Sequence, residues 1–256
     1  MMKELLTTCC LEVGYKKNKV LSNIDLVIKS GEVVTILGAN GIGKSTLIKT
    51  LTGEIPPIGG QVFVAGKPIE NYTQKELSKH IAIVTTDKVQ AGGLKVIELI
   101  NLGRHPHTGY FGRLTDKDVQ IVRKAMNDVG IAHKENSFLS ELSDGERQKV
   151  MIARAIAQQT PVIILDEPFS FLDTASRIEI LSLLKNICRT DDVGILLSSH
   201  DVSQAMRMSD RIVLIDKNRE ISVGTSNDLI RDNKIQNMFN NPDIIYDQSQ
   251  SDFILK

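Results

Sequence analysis

At 256 residues the chain can bury a full core, and 41% hydrophobic with 24% charged residues is the balance of an ordinary globular protein, not a disordered or fibrous one. Lysine plus arginine equals aspartate plus glutamate at 31 each, so no net field argues for nucleic acid or anionic lipid, and any anion must be held locally. No apolar run approaches the ~18 residues that span a bilayer, and MMKELLTTCCLEVGY, with an acid at Glu4, lacks the apolar stretch of a secretion signal.

In chain order, residues 5–30 read as two extended segments, CCLEVGY and LSNIDLVIKSG, separated by the charged turn KKNK. Cys9 and Cys10, with Cys188 far downstream, form neither a CxxC pair nor a zinc-type ligand cluster; buried or half-buried reduced thiols are expected. VVTIL (Val33 to Leu37) is an unbroken apolar strand feeding a glycine loop, with a helix predicted from Lys44 to about Leu51. GQVFVAGKPI restores alternation, and IAIV (Ile81 to Val84) is another buried strand. From Val96 to Gln159 the pattern turns helical: VIELINLG, DKDVQIVRKAMNDVG ending on Gly130, and the capped ERQKVMIARAIAQQ. A turn-rich segment of residues 103–115 lies between the first two, and its His105 and His107, without acidic or cysteine partners, read as surface residues. Then come the apolar strands VIIL, GILLSS and RIVLID, with helices of about Ala175 to Cys188 and Val202 to Met208 between them. The tail, IIYDQSQSDFIL, reads as a small hairpin. Strands alternating with helices predict an α/β fold around a mixed or parallel sheet. The expected organisation is one domain, 1–256, with a core of 1–95 and 160–256 and an inserted helical subdomain of 96–159.

The loop GANGIGKST matches G-x-x-x-x-G-K-[ST] between a strand and a helix. In such a loop the backbone at Asn40, Gly41 and Gly43, continuing through Lys44, Ser45 and Thr46, turns N–H groups towards a β-phosphate. Lys44 reaches the β/γ oxygens and Ser45 holds magnesium. VIILDEP delivers Asp166 and Glu167 to the exposed end of a buried strand, where adjacent carboxylates repel and need a cation or a proton. Asp166 suits magnesium; Glu167 is free to orient or deprotonate a water. His200 closes ILLSS and shares the sheet edge of Asp166 if the two strands are parallel neighbours. In LSDGERQ, Ser143 and Glu146 form a capping box at a helix start, a second anion site far from the first.

Taken together, GANGIGKST, LSDGERQ, VIILDEP, SFLD and SSH resemble the Walker A, signature, Walker B, D-loop and switch-histidine motifs of ABC ATPases, in family order. The resemblance runs from Gly14-Tyr15 to Gly224. It implies a P-loop NTPase fold of ABC type with an N-terminal antiparallel β-subdomain, ATP with Mg2+, and a head-to-tail homodimer. Each ATP would lie between one subunit's phosphate loop and the other's signature helix. Ser143 and Gly145 would then touch the γ-phosphate across the dimer, Asp173 would cross the interface, and His200 would contact the γ-phosphate beside Glu167. Tyr15 stands where the family stacks an aromatic on adenine, the alternative being a strand tyrosine packed in the sheet.

Two departures from the family pattern bear on function. Asp144 and Glu146 replace the glycine and glutamine of LSGGQ; Asp144 is tolerable near phosphate only if its side chain points away. Where the family has a Pro-Gln pair after IAIV, this chain has Thr85 and Thr86, and Thr86 is expected to take the glutamine's place with a weaker metal contact, Asp87 and Gln90 being the alternatives. The stretch from Val96 to Ile131 is similar to the helical subdomain of importers for iron siderophores, haem and cobalamin. That likeness implies the ATP-hydrolysing subunit of a bacterial importer, peripheral on the cytoplasmic face of the inner membrane. Its partners would be polytopic permease subunits and, indirectly, a substrate-binding protein, with no nucleic acid. The rival readings are a soluble ABC ATPase uncoupled from transport and a nucleotide-gated module with little turnover.

Overall fold

The run VVTIL is buried at all five positions because it forms the middle of a sheet covered on both faces. The computed structural model of the chain describes residues 2–16, 18–85, 93–109, 112–238, 244–247 and 252–255. The first half runs β1 (Glu4–Tyr15), β2 (Asn18–Ile24), β3 (Val27–Lys29), β4 (Val33–Leu37), α1 (Lys44–Leu51), β5 (Gly59–Val64), β6 (Lys67–Pro68), α2 (Gln74–Leu77) and β7 (Ile81–Val84). Helices α3 (Val96–Asn101), α4 (Asp116–Asp128) and α5 (Asp144–Gln158) follow. Then come β8 (Val162–Leu165), α6 (Thr174–Thr190), β9 (Gly194–Ser199), α7 (Val202–Met208), β10 (Arg211–Ile215), β11 (Ile221–Gly224), α8 (Ser226–Arg231) and the hairpin β12 (Ile244–Asp247) and β13 (Asp252–Leu255).

β1 is the centre of an antiparallel sheet with β2, β3 and β5, and β6 adds to the far side of β5. The main sheet has the order β11-β10-β4-β9-β8-β7, parallel except for β11. Its registers place Leu37 beside Ser199 and Leu165 beside Leu197. The glycine loop, Asp166-Glu167 and His200 therefore leave one edge of the sheet together, the edge where open α/β sheets bind ligands.

Strand side chains alternate between faces, and here that divides two cores. Ala82, Val84, Ile163, Leu165, Ile195 and Leu197 join Leu99 of α3, Met126 of α4, Val150 and Ile152 of α5 and Leu184 of α6. Val34, Ile36, Ile164 and Leu196 join Leu47, Ile48 and Leu51 of α1 and Leu6, Leu11 and Val62 of the antiparallel sheet. Each of these side chains except that of Ala82 contributes roughly 1.5–3 kcal/mol on full burial. α1 and α5 thus pack against opposite faces of one sheet.

α5 is also tied to the edge strand β7 by polar side chains. Arg154 Nη2 donates to Ile83 O at 3.0 Å, and Gln158 Nε2 donates to Ser78 O at 2.6 Å and Ile81 O at 3.0 Å. In the helical segment, Arg104 is buried and donates through Nε to Asp118 Oδ1 at 2.8 Å and through Nη1 to Ala157 O at 2.7 Å. The hydroxyl and backbone N–H of Thr115, with Arg104, bring the Asp118 carboxyl down to about 2 against its burial.

Besides splitting LSNIDLVIKSG, read as one extended segment, between β2 and β3, the structure departs from the sequence reading in two places. The turns expected from residue 103 are 3-10 helix over Leu102–His107; Pro106 supplies no N–H, and Gly103 lies so close to α5 that a Cβ would stand 2.4 Å from Arg154 O. His105 and His107 are exposed, as expected. The second departure is at the cysteines: Cys188 is buried, but Cys9 and Cys10 are both exposed, because a bulge in β1 turns Cys10 to φ 46°. Thr86, Asp87 and Gln90 lie outside the described residues.

Candidate functional site

The turn from β4 into α1 is built by glycines. Gly43, the residue before the helix, has φ 126°, and a Cβ there would lie 2.7 Å from Val20 Cγ1; Gly41 has φ 76°. No side chain caps α1, so its first N–H groups stay open to an anion. Lys44 is buried, and its ammonium donates to Gly38 O at 2.9 Å and Ala39 O at 3.2 Å. It also pairs with Glu167 Oε1 at 3.2 Å. Asn40, Gly41, Gly43, Lys44, Ser45 and Thr46 line a cleft of about 410 Å³, closed by Val20, Glu167 and Arg219.

Asp166, at the end of β8, is buried and accepts a hydrogen bond from the Ser198 hydroxyl through Oδ1. The same hydroxyl accepts the Glu167 N–H at 2.8 Å, so one side chain of β9 fixes both acids. Glu167 has φ 43°, a left-handed conformation costing on the order of 1–2 kcal/mol for a side chain of this size. Its other contacts hold it there: His200 Nδ1 stands 3.3 Å from Oε2, and Ser170 Oγ donates to Oε2 at 3.3 Å. Burial pushes the Glu167 carboxyl up, but Lys44, by hydrogen bond and by charge, and His200 outweigh it, leaving the group below the ordinary range. It is therefore a carboxylate at neutral pH. His200 is half exposed and lines a second, smaller cleft that shares Glu167 with the first.

The other motif residues are placed apart from the Lys44 cleft. Ser143 precedes α5 in the predicted capping box: Glu146 N–H donates to Ser143 Oγ at 3.2 Å and Ser143 N–H donates to Glu146 Oε2 at 2.9 Å. Asp144 turns to Arg147, 3.4 Å away, and Gly145 packs so that a Cβ would lie 3.2 Å from Phe171 O. Asp173 caps α6, accepting Ser176 N–H at 2.9 Å. Tyr15, at the end of β1 opposite Asn18, is 50% exposed, so the packed alternative does not hold, yet it lines neither cleft. Two residues of the site carried no assigned role in the sequence reading. A hydroxyl in the buried strand GILLSS was a signal for Ser198, since a buried hydroxyl needs a partner. Arg219 had none, because only the fold brings the β10–β11 turn over the glycine loop.

A family model described as ABC transporter matches residues 21–170. The chain belongs to the ABC transporter family. This ABC chain has the family's ATPase fold, binds nucleotide and is an ATPase. It is 35% identical over 234 residues to the iron(3+)-hydroxamate import ATP-binding protein of Bacillus subtilis, covering 91% of this chain and 87% of that one. It is 34% identical over 229 residues to the cobalamin import ATP-binding protein of Halobacterium salinarum, covering 90% of this chain and 57% of that one. Among solved structures, a chain of a metal-chelate type ABC transporter in an inward-facing conformation superposes with a TM-score of 0.81 at 25% identity, covering 98% of this chain and 96% of that one. No described helix of the ABC chain is long and apolar enough to cross a membrane.

Proposed function

We propose that this ABC chain is the ATP-hydrolysing subunit of a bacterial importer for an iron chelate, haem or a corrinoid. It would work as a head-to-tail homodimer on the cytoplasmic face of the inner membrane, against polytopic permease subunits fed by a substrate-binding protein. The observation that carries the dimer is the packing of α1 and α5 on opposite faces of one sheet, with Ser143 and Gly145 outside the cleft of Lys44. One chain does not bring both proposed phosphate-facing helix ends to one phosphate, and a second copy turned head to tail would. Residues 96–159 would face the permease, and the relatives named for iron-hydroxamate and cobalamin import support the substrate class.

In the mechanism, phosphate oxygens replace Glu167 as the partner of Lys44, whose buried ammonium then neutralises charge at the β/γ position. Glu167, released from Lys44, orients the attacking water and takes its proton, while His200 stays against its second oxygen and reaches the γ-phosphate. Asp166 and the Ser45 hydroxyl are oxygen donors of the kind magnesium takes, and Asp166 is already oriented by Ser198. They would hold that ion, which would neutralise phosphate charge; Thr86 is the proposed third contact. Tyr15 would stack on adenine, and Asp173 would meet the partner copy.

Glu167→Gln tests the reading. In the presence of ATP the variant should accumulate as a dimer on size exclusion with hydrolysis abolished; undiminished steady-state hydrolysis would overturn the assignment. Purification from detergent should bring a polytopic membrane protein with the chain, and recovery of the chain alone from intact membranes would count against coupling to transport.

A further inference from the structure

Away from the nucleotide cleft, Cys9, Cys10 and Asp25 bring three metal-ligating side chains together, with ligand atoms all within 4.8 Å of one another. Adjacent residues of a regular strand point to opposite faces, so one of two neighbouring cysteines should be buried. The bulge prevents this. β1 pairs Cys9 with Gln61 of β5, and pairing resumes only at Glu12 with Gly59. Between them Cys10 takes φ 46°, and Gly60 presses so closely on the bulge that a Cβ there would lie 2.3 Å from Cys10 O. Both thiols emerge on the exposed side as a result.

Asp25 comes from the connection between β2 and β3, and its Oδ1 accepts the Cys10 N–H at 2.7 Å. The carboxylate is therefore anchored to the backbone of the bulge itself. A glycine that admits the bulge, a strand that turns two thiols outward and an acid held beside them by a different segment together make a preformed ligand set. We propose that Cys9, Cys10 and Asp25 bind a thiophilic divalent cation of the zinc class.

Two thiolates and one carboxylate supply three ligands, and water completes a tetrahedron. Zinc takes sulfur at about 2.3 Å and carboxylate oxygen at about 2.0–2.2 Å, which places tetrahedral ligand atoms roughly 3.5–4 Å apart. The ligand atoms, all within 4.8 Å of one another, would have to draw in by about an ångström to reach that spacing. Without a cation, the neighbouring Cys9 and then Asp25 raise the Cys10 thiol. The cation replaces the two thiol protons, which leave to solvent, so the step is an exchange of two protons for one metal ion. The chain's remaining cysteine, Cys188, is buried and takes no part.

The test uses the full chain, reduced and stripped with chelator, titrated with Co2+ as a spectroscopic probe. One equivalent should produce a thiolate-to-cobalt charge-transfer band with tetrahedral d–d bands, and Zn2+ should displace it. Cys9→Ser and Cys10→Ser should each cut the charge-transfer band to half or less, the double variant should abolish it, and Asp25→Asn should weaken binding at least tenfold. Zn2+ should also protect two thiols of the native chain from a disulfide reagent. The proposal is overturned if the band never forms, or if it persists undiminished in the Cys9→Ser/Cys10→Ser double variant. Unchanged ATP binding in these variants reports that the fold is intact.

Discussion

The two helix ends aimed at phosphate, at α1 and at α5, are built on opposite plans. α1 opens without a side-chain cap behind a glycine at φ 126°, with a buried lysine waiting in the cleft that the glycine loop lines. α5 opens with its box filled: the N–H groups of Ser143 and Glu146 are taken, and Glu146 is drawn below the ordinary range by the Ser143 N–H and then Lys134. The first end is a receptor and the second a prefolded plug. In the proposed dimer a second copy would join the two, and the chemistry would be confined to the receptor side.

Experiments can break that contrast, and the largest effects should lie on the receptor side. Glu167→Gln should lower turnover by roughly 10²–10⁴-fold, the span of a general base, measured as phosphate release. Second is Ser198→Ala, which strips Asp166 of a donor and leaves the Glu167 N–H without its acceptor. A buried group left unpaired costs about 1–3 kcal/mol, read as a lowered denaturation midpoint together with slower hydrolysis. On the plug side, Glu146→Gln keeps the capping geometry and removes a negative charge. By removing repulsion between carboxylate and phosphate it should tighten ATP-driven dimerisation a few-fold, measured by sedimentation with ATP, while the helix loses the about 0.3–1 kcal/mol that an acid contributes at its N-terminus. An equal or larger loss from Glu146→Gln than from Glu167→Gln would reverse the roles given to the two ends.

The smallest effect on turnover lies outside both ends, where the change is a pH dependence of stability. The Asp118 carboxyl lies below its unfolded value of 3.8, at about 2. The stability it contributes is fully present above the unfolded value and is lost as pH falls through the folded one. Acid unfolding should therefore begin between those limits, and Asp118→Asn should flatten that part of the stability curve without moving turnover at neutral pH.

Features encoded by neighbours in sequence were legible before the fold was known. The helix Lys44–Leu51, the strand Ile81–Val84, the helix Val202–Met208 and the Ser143–Glu146 box each depend on residues a few positions apart, and all four stand where the sequence puts them. Parallel pairing of β8 with β9, the condition for His200 to share an edge with Asp166, also holds. Features made by distant contact were not legible. Arg219 reaches the glycine loop through the β10–β11 turn and Arg104 finds Asp118 across a loop, while at Ser198 the need for a partner was legible but not the two acids past the end of β8 that it serves. The exposure of both Cys9 and Cys10 depends on Gly60 of a strand that comes much later. Periodicity reports which face a residue prefers, and a bulge is where that preference is overruled.

The bonds that tie α5 to β7 are all near one end of the helix, at Arg154 and Gln158, while Ser143 stands at the other. From Arg154, where those bonds begin, back to Asp144 is ten residues, an arm of about 15 Å. With its fulcrum on the backbone of β7, a swing of about 10° carries the tip about 3 Å, enough to make or break a hydrogen bond to phosphate. β7 leads directly to Thr85, where the chain departs from the family pattern, so a push delivered there would be amplified at the far tip.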